Sequence, residues 1–172
     1  AFLFCLFALS VALRFLLASY PKVYYFFLDE QMYGSYAQSL LDSGTLEVLG
    51  LPMGFFRPVY SLFISPAYLL SDVLAQQVAV AFINAVVISS GIFPVYLLGR
   101  RVLESKAYAL LASALYICAS DLVYSQTWMT ETAFLPLSLW TVLVFWELEN
   151  PKAAPSPKHD AAEGALFGVL MG

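Results

Sequence analysis

Charge is what this sequence most lacks. Only 12% of its 172 residues are Asp, Glu, Lys or Arg, where an ordinary soluble domain has roughly 25%. A soluble fold of this length needs a polar exterior, because so much of a small domain is surface. With 61% apolar residues there is too little polar material to build one. The mean hydropathy of +0.78 agrees, and the composition reads as an integral membrane protein. Basic residues are scarcer than acidic ones, 8 against 12, for a net charge of -4. No basic stripe results, which argues against nucleic acid as a partner. Cysteine occurs only at Cys5 and Cys118, each inside an apolar stretch. Both read as small buried hydrophobes rather than as a disulfide or a metal pair. The single histidine, His159, falls among prolines and reads as solvated. No metal-ligand spacing, phosphate-cradling glycine loop or nucleophile elbow is found.

Apolar runs are what the sequence has in quantity. A spanning helix needs about 20 mostly apolar residues at ~1.5 Å each. Ala1 to Ala18 is one candidate, interrupted by Arg14, Val78 to Leu98 a second and Ala107 to Tyr124 a third. Ala133 to Trp146 has 14 residues and spans only if its helix starts earlier, near Thr127. A fifth run begins at Gly164, where Gly164, Gly168 and Gly172 have the small-xxx-small spacing of close helix packing. The expected fold is all-α and polytopic, with about four complete transmembrane helices and the start of a fifth. The chain opens at Ala1 in one apolar run and stops at Gly172 in another, with no Met or basic leader ahead of the first. It therefore reads as the N-terminal part of a longer transmembrane domain rather than as a chain carrying a removable signal peptide.

Orientation follows from the basic residues. Pro58 to Leu70 has 13 residues, short for a ~30 Å hydrocarbon core. If it does not cross, Arg100, Arg101, Lys106, Lys152 and Lys158 share one face, the cytoplasmic one. If it crosses, Arg100 and Arg101 land outside. The first topology is the better, and Pro58 to Leu70 becomes an interfacial or re-entrant helix on the outer side. The outer loop then covers about 20–77, and the proline-rich segment of about 147–163 is a cytoplasmic linker. Seven acidic residues, Asp29, Glu30, Asp42, Glu47, Asp72, Asp121 and Glu131, fall on or near the outer side.

Four of the outer-side residues invite chemistry. Asp29 and Glu30 follow the aromatics Tyr24, Tyr25, Phe26 and Phe27. They precede an amphipathic helix with Tyr33, Ala37, Leu40 and Leu41 on one face, ending near Ser43-Gly44. Asp29 can cap that helix and Glu30 complement its dipole. Either carboxylate, at membrane level beside aromatic rings, can also accept a proton or bind a sugar hydroxyl. Glu131 falls about one turn inside a fourth helix that starts near Thr127, where it needs a polar cavity or a partner; the alternative is a solvated loop glutamate. Arg57 stands at the mouth of the short helix, where a guanidinium can fork onto phosphate oxygens or snorkel to headgroups. Arg14 reads as a snorkelling or paired structural residue, and Asp121 has no assigned role.

The order of these segments resembles the N-terminal half of GT-C glycosyltransferases, the polyprenyl-phosphate-sugar-dependent membrane enzymes that include protein O-mannosyltransferases and aminoarabinose transferases. The likeness runs through Asp29-Glu30 with Tyr33, Ala37 and Leu40-Leu41, then Gly44 and Arg57-Pro58-Val59-Tyr60 with Ile64-Ser65-Pro66. It continues through Val95 to Arg101 and ends at Met129-Thr130-Glu131-Thr132. It covers nearly the whole chain and says nothing about which sugar is carried. The resemblance implies Asp29 as catalytic base with Glu30 its acidic neighbour. It also implies Arg57 on the donor phosphate and Glu131 as a second acidic residue, with Tyr33 and Tyr60 among the substrate contacts. The aminoarabinose branch has an acidic metal ligand where this chain has Phe56, and a second proline where it has Val59. The first departure weighs against a divalent metal, and no other cofactor is implied.

What the resemblance implies as a reaction is inverting transfer on the extracytoplasmic side of a plasma or inner membrane. The donor is a polyprenyl-phosphate-linked sugar embedded among membrane lipids. The acceptor is a hydroxyl of a protein, lipid or glycan. Two other classes stay open on the residues alone: a transporter or flippase, given Asn84 and Asp121 within spans beside a re-entrant segment, and a non-catalytic membrane assembly subunit.

Overall fold

The computed structural model describes residues 2–18, 28–48, 50–52, 58–118 and 130–150. Arg57, Asp121, Thr127, His159, the aromatic run 24–27, most of the proline-rich linker and the fifth apolar run lie outside them. Helix α1 (Phe2–Ala18) buries Ser10, Arg14 and Ala18, spaced four apart, and turns Phe2, Phe4, Leu9, Leu13 and Leu16 outward. This inverts the pattern of a soluble amphipathic helix, whose apolar stripe faces the core. The Arg14 guanidinium is fully buried rather than snorkelling, and its Nε donates to Ser10 Oγ at 3.3 Å. Both cysteines also depart from expectation: neither is buried, and each is an exposed free thiol.

Helix α2 (Leu28–Ser43) buries Tyr33, Tyr36 and Ala37 on one face. It stops where Gly44 takes φ +70°, a conformation glycine adopts without steric cost. Asp29 lies within its first turn, one residue past the helix start rather than ahead of it. A two-residue antiparallel hairpin follows, β1 (Glu47–Val48) pairing with β2 (Leu51–Pro52) around Gly50. It is the one strand pair among the described residues, and the fold is otherwise helical. Helix α3 (Val59–Ile64) runs straight into a 3-10 segment, Ser65–Leu69. Its total length is too short to cross a bilayer as a helix.

Helix α4 (Val73–Ser89) starts five residues before the expected Val78, because the Asp72 carboxylate accepts a hydrogen bond from Ala75 N at 2.8 Å and caps it. Only Ser90 and Gly91 separate it from α5 (Ile92–Val102). Together they form a helical stretch of 30 residues, long and apolar enough to cross a membrane. At Ser90-Gly91 the ladder tightens, with Gly91 N donating to Ile88 O and Phe93 N to Ser90 O. There the Tyr116 hydroxyl, from α6 (Lys106–Ile117), donates to Ile88 O at 2.7 Å. Helices α5 and α6 pack as a tight hairpin. A Cβ on Gly99 would come within 3.0 Å of the Ala109 backbone.

Helix α7 (Glu131–Glu149) has 19 residues and is the second helix long and apolar enough to span. Its start does not match expectation. Glu131 is its first residue and is exposed, not a turn inside, because the helix gains its length at the other end through Glu147 to Glu149. Among the described residues, α1 and α6 are apolar but shorter. Helix α1 lies against α4 through Ser10 Oγ and Ser89 Oγ, 2.8 Å apart, and through the Phe15–Phe82 edge contact. Its opposite end meets α5 through Phe4 and Phe7 on Phe93, so the two run antiparallel.

Candidate functional site

Two clusters of contacts mark the two ends of this bundle. At one end, Arg101 near the close of α5 forms an ion pair with Glu147 near the close of α7. Arg100 and Lys106 are exposed around the same turn. At the other end, Tyr33 and Ala37 of α2, Tyr60 and Ile64 of α3, Ala67, Val80 of α4 and Ala133 of α7 share one buried core. The carboxylates expected to act belong to this second end.

Asp29 and Glu30 occupy the first turn of α2, where a negative charge faces the positive end of the helix dipole. Asp29 is exposed and Glu30 half-buried. Tyr33, three residues after Glu30 and so on the same side of the helix, is buried at 8% exposure and meets Tyr60 edge-on, ring centroids 5.4 Å apart. The Ser61 hydroxyl donates to the Tyr33 carbonyl at 3.1 Å, so α3 grips α2 through backbone as well as ring. Tyr60 is 1% exposed and its hydroxyl donates to Asn84 Oδ1 of α4 at 3.1 Å.

Burial pushes the Tyr60 hydroxyl well above the ordinary tyrosine range; the Asn84 hydrogen bond pulls it back, while Tyr68, Glu30 and Tyr33 add to the rise. Glu30 is thus close enough for its charge to be felt at the buried hydroxyl. Tyr68 itself is pushed up to about 12 by burial. Neither Tyr33 nor Tyr60 presents an open face to a substrate; they form the wall behind the acidic turn.

Glu131 begins α7, again at the positive end of a helix, with the Thr130 hydroxyl 3.5 Å from one of its carboxylate oxygens. Two residues on, Ala133 enters the core shared with Tyr33 and Tyr60. Glu30 is therefore one turn from Tyr33, which meets Tyr60, and the turn that carries Glu131 abuts the same core. Arg57, the expected phosphate contact, lies outside the described residues; Pro58, next in sequence, is the N-cap of α3, two residues before Tyr60. Among the described residues no three His, Cys, Asp or Glu side chains gather to hold a metal ion.

Asn84 and Ser61 are the site-supporting residues whose partners the residue pattern does not disclose. Asn84 stands out as an amide inside an apolar run, which signals a polar partner without naming it. Ser61 carries no such signal. The chemistry available at this end is that of exposed or half-buried carboxylates, backed by the buried rings of Tyr33 and Tyr60. No protein-family model, curated protein or solved structure matches the chain.

Proposed function

We propose that this chain is part of a polytopic integral membrane glycosyltransferase of the GT-C kind, moving a sugar from a polyprenyl-phosphate donor to a hydroxyl acceptor on the extracytoplasmic side. The membrane part of the reading is supported by the inverted polarity of the helices. Small and polar residues such as Ser10, Ser89, Asn84 and Ser113 are buried, while Leu9, Phe82, Leu111, Leu115 and Phe134 face outward. Helices in lipid pack this way, through small and hydrogen-bonding residues, because the solvent is itself apolar.

The observation that carries the transferase reading is the company Glu30 keeps. Glu30, Tyr33, Tyr60 and the turn bearing Glu131 belong to one end of the span-length helices, and the Arg101–Glu147 pair to the other. In the proposed reaction Asp29 takes the acceptor hydroxyl proton as that oxygen attacks the anomeric carbon. The bond from that carbon to the phosphate oxygen breaks on the opposite face, and configuration inverts. Arg57 offsets the charge left on the departing phosphate. Glu30 and Glu131 orient sugar or acceptor hydroxyls. No step calls for a metal.

A transport role is the second reading, favoured by Arg14, a guanidinium wholly buried between apolar helices beside Ser10. One experiment separates the two. The full-length protein is assayed for transfer from a radiolabelled polyprenyl-phosphate sugar, with Asp29→Asn as control. Transfer that falls by about 10²–10⁴ in the variant supports the transferase, in line with the usual contribution of a general base. Absence of transfer from the unaltered protein, with substrate still moved across the membrane, supports the transporter.

A further inference from the structure

Three features lie outside the chemistry described so far: the buried Ser10–Arg14–Ser89 group, the tightened break at Ser90-Gly91 under Tyr116, and the chain of contacts from α2 to α4. The last carries an inference furthest. We propose that Tyr60 and Asn84 form a positioning pair, which holds the Glu30 carboxylate in register with the long helices. What Glu30 then does rests on the transferase reading above; that it is held does not.

Helix α2 packs chiefly on α3 and its 3-10 continuation, not on the long helices. Its position relative to the bundle is therefore transmitted by α3. On one side α3 holds α2 by the Ser61 hydroxyl on the Tyr33 carbonyl and by the 88° edge-on contact of Tyr60 with Tyr33. On the other it holds α4 by the Tyr60 hydroxyl on Asn84. Tyr60 belongs to both links, and Glu30 sits one turn from Tyr33 on α2. Since Tyr60 is 1% exposed, it acts through its neighbours and not on a substrate. A carboxylate that must meet a hydroxyl in a narrow range of geometry loses rate when its support loosens, even though binding persists.

The test uses the full-length protein in membranes. Tyr60→Phe keeps the ring and removes the hydroxyl; Asn84→Ala removes the acceptor. Each is expected to lower kcat about tenfold with little change in KM for the donor. In a Glu30→Gln background, Tyr60→Phe is expected to cause no further loss. An equal loss in both backgrounds, no loss in either, or full activity of Glu30→Gln alone overturns the proposal, because a merely structural tyrosine acts independently of Glu30.

A second readout needs no catalysis. Glu30→Cys, in a chain with Cys5→Ser and Cys118→Ser, is labelled with a membrane-impermeant maleimide. Adding Tyr60→Phe or Asn84→Ala is expected to change the labelling rate severalfold, and an unchanged rate overturns the proposal. A protein that transfers no sugar yet shows the labelling change would end the transferase reading while leaving the positioning pair intact.

Discussion

Asp29 and Glu30 are adjacent, yet they meet different surroundings: the first is exposed, the second half-buried one turn from the buried Tyr33. The division fits the proposed roles, a base that reaches a mobile acceptor next to a carboxylate that is held in place. On the proposed transferase reading, replacing Asp29 with Asn is expected to leave the protein inserted and to lower transfer by about 10²–10⁴-fold, measured by product formation at equal protein level. A second prediction concerns pH. Tyr60 and Tyr68 both resist ionisation in the fold, from an ordinary value of 10.0. A group with a raised folded value contributes its full stability below the unfolded value and loses it above. The protein is therefore expected to hold its stability up to about pH 10 and to weaken between there and about pH 12. Tyr68→Phe should blunt that weakening in thermal melts taken across the alkaline range, and a pH-independent melting temperature would contradict it.

At the scale of elements, the close approaches are carried by small residues. Helices α5 and α6 touch at Gly99 and Ala109, where any side chain on residue 99 meets backbone rather than a flexible tip. Gly99→Val is expected to destabilise the protein by about 1–3 kcal/mol, the range for overpacking a filled contact, read as a lower melting temperature in detergent. A substitution that left the melt unchanged would mean the hairpin can open without penalty. The Ser90-Gly91 break is held in a different way: Tyr116 fills the space a Cβ on Gly91 would need and donates to Ile88 O. Irregular backbone within an apolar bundle persists where a neighbour satisfies its polar groups. Between α5 and α7, the Arg101–Glu147 pair is partly exposed, at 29% and 14%. Arg101→Glu is expected to cost about 1 kcal/mol, and adding Glu147→Arg to recover most of it, which unfolding of the two variants against the original chain would show.

For the whole molecule, the two span-length helices order everything else. Tyr33, one turn after the acidic residues of α2, and Ala133, in the first turn of α7, share the core at one end, and the basic turn after α5 stands at the end marked by the Arg101–Glu147 pair. Cysteines introduced at Asp29 and Glu131 are expected to react with an impermeant reagent from the extracytoplasmic side. A cysteine at Arg100 should react only after the membrane is opened. Labelling of positions 131 and 100 from the same side would overturn the expected topology.

Much of this was legible beforehand, and the reasons differ by residue. The amphipathic face of α2 and its stop at Gly44 follow from local periodicity and backbone sterics, which act within a turn or two. The start of α7 is not legible, because a 14-residue apolar core does not say at which end polar residues will extend it, and Glu147 joins the helix where it meets Arg101. Arg14 and Asn84 stand out as polar residues in apolar runs, but Ser10, which Arg14 contacts, meets Ser89 79 positions away, and Asn84 meets Tyr60 24 positions away. By itself the sequence determined composition, helical class and the residue types available for chemistry, because those depend on hydropathy and local geometry. Which polar groups meet, which tyrosine is sealed behind which carboxylate and which helix ends share a side were decided only in the tertiary structure, because hydrogen bonds and close packing join residues that nothing in local sequence relates.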